Sequence, residues 1–241
     1  MDSSPGMAPI RAAVKRRVFA LGLPAGAKLL DAPCGPGELV EAFNAAGWDC
    51  VGADVDTDAQ ARLGNRFCRT DLTQPLPWPD EALDAVLCVE GIEHLENRFA
   101  FLREVHRILR PGGTLVITTP NTVSIRSRMR FFYSGFYHKD PRPLAEAAHH
   151  PLHHIGLATF PELRYALHTS GFRLVEATHT HTKWISYLYA GYVPWMWLYT
   201  RIAFRREKDA AQRRNNREVL AALFSGSLLF GENLMLVAKR V

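Results

Sequence analysis

The sequence has no CxxC pair. Its four cysteines, Cys34, Cys50, Cys68 and Cys88, are scattered through the first half, so no thiol metal site or dithiol motif is expected, only reduced and mostly buried thiols. No apolar run precedes the charges of MDSSPGMAPIRAAVKRRVFA, which argues against a secretory signal. No internal repeat and no low-complexity tract is found, so a repeat architecture is set aside. A large charge excess is missing too. The net charge is +5 with pI near 9.2, and such a modest balance leaves nucleic acid, anionic membrane surfaces and acidic substrates all open, so where the charges sit decides more than their sum. What is present is 47% hydrophobic and 22% charged residues over 241, enough for a buried core and one large domain, with or without an appended lid. The basic residues gather in three places: Lys15–Arg17, Arg126/Arg128/Arg130, and the run from Arg201 to Arg217. The first reads as a solvated helix face.

From Lys28 to about Pro120 short apolar runs alternate with amphipathic stretches. KLLDA, CVGADV, ALDAVLCVE and TLVITTP read as strands, and ELVEAFNAAGW as a helix. FAFLREVHRILRPGG reads as a helix stopped by Pro111 and Gly112, with Phe101, Leu102, Val105, Ile108 and Leu109 on one face. This rhythm predicts βαβ units in an α/β fold with a mostly parallel sheet. Residues 121–158 are polar, basic and His-rich and read as a long insertion. The rhythm returns with FPELRYALHTSGF and RLVEATHT, breaks again over about 183–226, and ends in the strand NLMLVAKR. The expected layout is an N-terminal helical cap over 1–27 and one domain over 28–241 carrying the two insertions.

The strongest local signal is LLDAPCGPGE at 29–38, a strand ending in Asp31 and a turn through Gly35 and Gly37 into a helix. Two close glycines let a ligand approach the main chain. A dinucleotide fingerprint would put a third glycine at Val40, and Glu38 opposes a phosphate at the helix N-terminus, whereas an adenosyl ligand with a cationic sulfonium meets neither objection. Asp54 ends the next strand, where a carboxylate can accept both ribose hydroxyls of an adenosine. Asp56 reads as the cap of the following helix. Asp71, after a short strand, can receive the adenine amino group, and LPWP then leads into the next strand.

Taken together, Asp31, Gly35, Gly37, Asp54, Asp71, CVEGIEHL at 88–95 and RILRPGGTLVITTPN at 107–121 resemble the class I S-adenosylmethionine-dependent methyltransferases, nearest the ubiquinone-biosynthesis O-methyltransferase group. The resemblance implies a Rossmann-like, doubly wound seven-stranded sheet with the last strand antiparallel, and S-adenosyl-L-methionine bound at the switch between the first and fourth strands. Asp31, Gly35, Gly37, Asp54, Asp71, Leu72 and Val89 would hold the cofactor. One departure is Pro33, where that family has its first glycine.

Methyl transfer to oxygen needs positioning, exclusion of water and a base. Glu90 and His94 at the fourth-strand tip are candidates, and by resemblance Glu90, Glu93 and His94 match a set thought to hold a divalent metal. The reading adopted is that Glu90 is a pocket residue and that no metal is resident. In AAHHPLHHIG the histidines His149, His150, His153 and His154 have no closed ligand set, and Pro151 breaks any helix that would align them. His154, followed by Ile155, is the candidate base by resemblance. His106 and His168 read as structural.

Residues 184–204 carry one charge, Arg201, in twenty-one residues and three of the five tryptophans, and Pro194 divides them. A single membrane crossing is excluded because the last strand must return to the same sheet. In-plane insertion into one leaflet of an anionic membrane, through 184–217, is the reading adopted, with an apolar lid and a homodimer interface as the other two. The expected acceptor is a small lipophilic or lipid-linked molecule, and the expected location is cytoplasmic, peripheral at the inner face of the membrane. Base methylation of nucleic acid is not expected, since Glu90-Gly91-Ile92-Glu93 stands where an (Asp/Asn)-Pro-Pro-aromatic turn would present a base. An NAD-dependent oxidoreductase and a non-catalytic membrane-binding module are the readings from other classes.

Overall fold

The seven strands β1 (Lys28–Asp31), β2 (Asp49–Asp54), β3 (Phe67–Arg69), β4 (Leu83–Val89), β5 (Leu109–Pro120), β6 (Phe172–His179) and β7 (Asn233–Arg240) form one sheet in the order β3-β2-β1-β4-β5-β7-β6. All pairings are parallel except those of β7, which runs antiparallel to both β5 and β6. The computed structural model describes residues 6–137, 143–144, 147 and 153–241; His149, His150 and Pro151 lie outside the described residues.

The central strands are continuous apolar runs because both faces are covered. In β4, Ala85, Val86, Leu87 and Cys88 have no exposed surface, and alternate residues serve opposite cores. Val86 and Cys88 face α4 (Arg98–Ile108) and α6 (Phe160–Thr169). Ala85 and Leu87 face α1 (Met7–Phe19) and α2 (Glu38–Ala45). α4 buries Phe101, Leu102, Val105 and Ile108 at helical spacing, each contributing about 1.5–3 kcal/mol. α1 is packed as one of the layer helices through Ile10, Val14 and Val18, and Arg17 reaches Glu176 of β6 at 2.7 Å.

Three local readings change. α4 ends at Ile108, three residues before Pro111, and the chain is already extended at Leu109; Arg110–Gly113 form an irregularity in the β4–β5 register, with Gly112 at φ 74°. Asp56 does not cap α3 (Gln60–Leu63): its Oδ1 accepts the Asp58 N–H at 3.2 Å in a local turn, and the cap position is Ala59. The first insertion contains a helix, α5 (Ile125–Ser134), started by the Ser124 hydroxyl accepting the Ser127 N–H.

The second insertion is a 3₁₀ segment (Trp184–Tyr192), α7 (Val193–Phe204), α8 (Ala210–Leu223) and α9 (Gly226–Phe230). Pro194 sits in the first turn of α7, where its missing N–H costs nothing. No side chain of α7 is buried. Among the described residues no helix is long and apolar enough to cross a membrane.

Candidate active site

The sheet order reverses direction between β1 and β4, the topological switch point outside which ligands of open α/β sheets bind. Asp31 closes β1 at 1% exposure, with Oδ1 unbonded. Burial pushes its pKa up to about 8, the Asp54 charge adds to this, and Arg11 opposes it. The chain then turns through Pro33–Gly37. Gly35 (φ 48°) has open space where a Cβ would stand, which admits a ligand to the backbone. Gly37 (φ 82°) caps α2, and its added Cβ would lie 2.8 Å from Leu63 Cδ1, so packing as well as backbone angle requires glycine.

Asp54 latches this turn from β2. Its Oδ2 accepts the Gly35 N–H at 2.9 Å and Oδ1 the Asp56 N–H at 3.1 Å. Burial raises its pKa, and these backbone donors hold it back. Asp71 is exposed on the turn after β3, its Oδ1 accepting the N–H and hydroxyl of Thr73 at 2.9 and 2.8 Å. Leu72 and Val89 are buried at 9% and 7% exposure. Cys34, Cys50 and Cys88 are buried thiols whose ionisation burial suppresses.

At the tip of β4, Glu90 adopts φ 50°, a left-handed conformation that costs a non-glycine residue about 1–3 kcal/mol. Its N–H donates to the Thr118 carbonyl and hydroxyl, each at 3.1 Å, and Asn233 donates to its Oε2 at 2.6 Å. Next to it Gly91 packs on Pro33, so that a Cβ at 91 would lie 2.2 Å from the proline Cδ. The proline at 33 is thus accommodated by a glycine in the turn that follows β4.

Glu93 is 1% exposed, and burial, reinforced by Glu90, raises its carboxyl well above the carboxylate range. His94 Nδ1 lies 3.1 Å from the His153 carbonyl, which can only accept, so Nδ1 is the donor in that contact. The His94 and His154 rings are 5.0 Å apart, and Glu93, His94 and His154 bring ligand atoms within 4.8 Å of one another. The convergent set is therefore Glu93/His94/His154, while Glu90 is bonded to Asn233. Sequence reading missed Asn233 and its neighbours. Asn121 donates to the Leu228 and Gly231 carbonyls at 2.9 Å, and buried Glu232 pairs with Arg126 at 2.5 Å. Their signal is Gly231-Glu232-Asn233, polar residues opening an otherwise apolar strand.

Comparison with known proteins agrees with this geometry. Residues 8–177 match the methyltransferase domain family. A "probable S-adenosylmethionine-dependent methyltransferase" of Mycolicibacterium smegmatis is 34% identical over 104 residues, covering 42% of this chain and 40% of that protein. The mitochondrial ubiquinone biosynthesis O-methyltransferase of Rattus norvegicus is 32% identical over 114 residues, 42% of this chain and 32% of the relative. The chain matches less than half the length of these curated relatives. In fold it is similar to a SAM-dependent methyltransferase from Archaeoglobus fulgidus (TM-score 0.58, 20% identity, covering 95% of this chain and 94% of that one). It is also similar to 1,6-didemethyltoxoflavin-N1-methyltransferase of Burkholderia thailandensis, solved with S-adenosylhomocysteine (TM-score 0.57, 16% identity, 100% and 81% covered). With the family model matched over residues 8–177, on a fold that carries an open glycine turn and an acid at the tip of each of its first two strands, the chain belongs to the methyltransferase domain family.

Proposed function

We propose that this protein transfers the methyl group of S-adenosylmethionine to a hydroxyl oxygen of a small lipophilic acceptor, working in the cytosol at an anionic membrane surface. The observation that carries the reading is the meeting of His94 and His154, ring centres 5.0 Å apart, just past the tip of β4, with Glu90 fixed by Asn233 on the same turn. The cofactor supplies an electrophilic methyl on a sulfonium. Asp31 would hold the ammonium of its amino-acid end, Asp54 the ribose and Asp71 the adenine amino group, with Leu72 and Val89 beside the ring. When bound it would supply the methyl carbon to the acceptor oxygen, the carbon–sulfur pair remaining on sulfur, and His154 would take the acceptor proton. Glu90, fixed by Asn233, accepts a hydrogen bond from the acceptor and orients it.

The lipophilic acceptor and the membrane surface are supported by the exposed aromatic face of the second insertion, where Trp184, Trp195 and Tyr199 are 74%, 73% and 78% exposed. A homodimer through that face is the competing occupant.

A second reading, a divalent cation on Glu93, His94 and His154, is favoured by their proximity. Against it, burial and the Glu90 charge push the Glu93 carboxyl well above its ordinary range, which disfavours the carboxylate that a cation needs. The test is transfer of labelled methyl to phenolic acceptors with and without an apolar tail. Expected are an O-methylated product, preference for the tailed acceptor, full turnover in excess chelator, and a kcat loss of about 10²–10⁴ in His154→Ala with S-adenosylhomocysteine affinity kept. No transfer to either phenol with transfer to amine analogues of the same shape, or loss of turnover on chelation, would replace this reading.

A further inference from the structure

Between α5 and α7 lies a crevice of about 380 Å³ whose walls include Met129, Phe132, Tyr192, Met196 and Tyr199, with Arg128 among them. Its walls are aromatic and thioether, and its one formal charge is positive. Both segments that build it lack acid: no Asp or Glu occurs from 121 to 139 or from 184 to 206.

Arg128 is held in a fixed pose. Its Nε donates to the Val123 carbonyl at 2.6 Å, its Nη2 to the Leu223 carbonyl at 3.0 Å, and its guanidinium carbon lies 5.0 Å from the centre of the Phe224 ring. Among the described residues no carboxylate pairs with it and nothing bonds to Nη1. Burial alone pulls its pKa down to about 10, the mark of a cation without a counter-charge. The neighbouring arginine of the same helix differs: Arg126 is paired with Glu232 at 2.5 Å. A partly desolvated guanidinium without an anion is costly, and a fork already fixed on two sides is prepared for an oxyanion.

The rim extends the argument. Phe132, Tyr133, Trp195 and Tyr199 flank the crevice at 73–78% exposure, and Arg130, Arg201, Arg205 and Arg206 follow on the same two segments. Exposed Trp and Tyr beside basic side chains is the composition of a surface that meets lipid headgroups.

We propose that the α5–α7 crevice binds the phosphodiester headgroup of an anionic phospholipid, with Arg128 as its counter-ion and the aromatic walls against its glycerol and upper acyl chains. This deepens the membrane-facing reading above and rests on it, but not on the methyl-transfer chemistry.

The test titrates the full chain with short-chain phosphatidylglycerol below its micelle concentration and with inorganic phosphate. It also measures co-sedimentation with vesicles of phosphatidylcholine alone or mixed with phosphatidylglycerol. Saturable binding of the short-chain lipid is expected, at least about 10-fold tighter than inorganic phosphate. Arg128→Gln should weaken it about 10-fold or more, and Tyr199→Ser should weaken it too, both with unchanged S-adenosylhomocysteine binding. Should Arg128→Gln fail to fold, Tyr199→Ser and Phe132→Ser carry the test, because both positions are about 78% exposed. Unchanged lipid binding in the folded variants overturns the proposal, as does equal affinity for free phosphate. A concentration-dependent dimer that excludes the lipid and is lost in Tyr199→Ser overturns it in favour of a second copy. Absence of vesicle binding by the unmodified protein sinks the membrane reading as well, whereas vesicle binding indifferent to Arg128 sinks only the crevice.

Discussion

At Asp31 the buried carboxyl, with pKa about 8, keeps its proton through most of the neutral range, while in the unfolded chain it ionises near 3.8. Folding thus takes up a proton between those values, so this group lowers stability progressively as pH rises from about 4 to about 8. A cationic ligand favours the carboxylate and must displace that proton. Affinity for S-adenosylhomocysteine is expected to climb with pH, by up to about tenfold per unit, and to level off above about 8. Asp31→Asn should flatten that profile in calorimetry, weaken binding, and raise the melting temperature at pH 8. Asp54→Ala removes the acceptor of two backbone N–H groups and the ribose acid together. It should cost about 10- to 100-fold in affinity with the circular dichroism spectrum retained; unchanged affinity would remove the ribose role. Gly91→Ala drives a methyl into Pro33 and should cost about 1–3 kcal/mol or more in chemical denaturation. Adding Pro33→Gly should recover much of it. Additive losses in that cycle would show that the two residues are not coupled.

Among the elements, those legible in advance were the ones whose period shows in sequence. The strands at 83–89 and 233–240 and the helix at 160–169 show in the sequence because a short continuous apolar run and 3.6-residue spacing are both local patterns. α5 was read as loop, since Arg126, Arg128 and Arg130 interrupt its apolar face; Ile125, Met129 and Phe132 still keep the i, i+4, i+7 spacing behind the Ser124 cap. The apolar character of α7 reads as a surface for a membrane leaflet, an acceptor or a second subunit, and the structure leaves its side chains unburied. Replacing Trp195, Leu198 and Tyr199 together by Ser should therefore change stability by no more than roughly 1.5 kcal/mol, measured by thermal melting. A loss of several kcal/mol would mean that the face is packed in the folded chain.

For the molecule as a whole, cofactor binding should stabilise the sheet that carries it. S-adenosylhomocysteine at 100 times its dissociation constant adds about 2.7 kcal/mol, or a rise of roughly 5–11 °C in melting temperature at this size, and NADH should give none. A shift with NADH alone would move the site to the oxidoreductase reading. The sequence by itself determined the alternation of strands and helices, the glycine turn and the acids at strand tips, because periodicity and turn chemistry act over a few residues. Tertiary structure decided which of these meet. Glu90 and Asn233 are 143 positions apart, Pro33 faces Gly91 across β1 and β4, and His154 returns from the first insertion to stand beside His94. Those contacts depend on sheet order and on how the insertions pack, and neither leaves a period in the sequence.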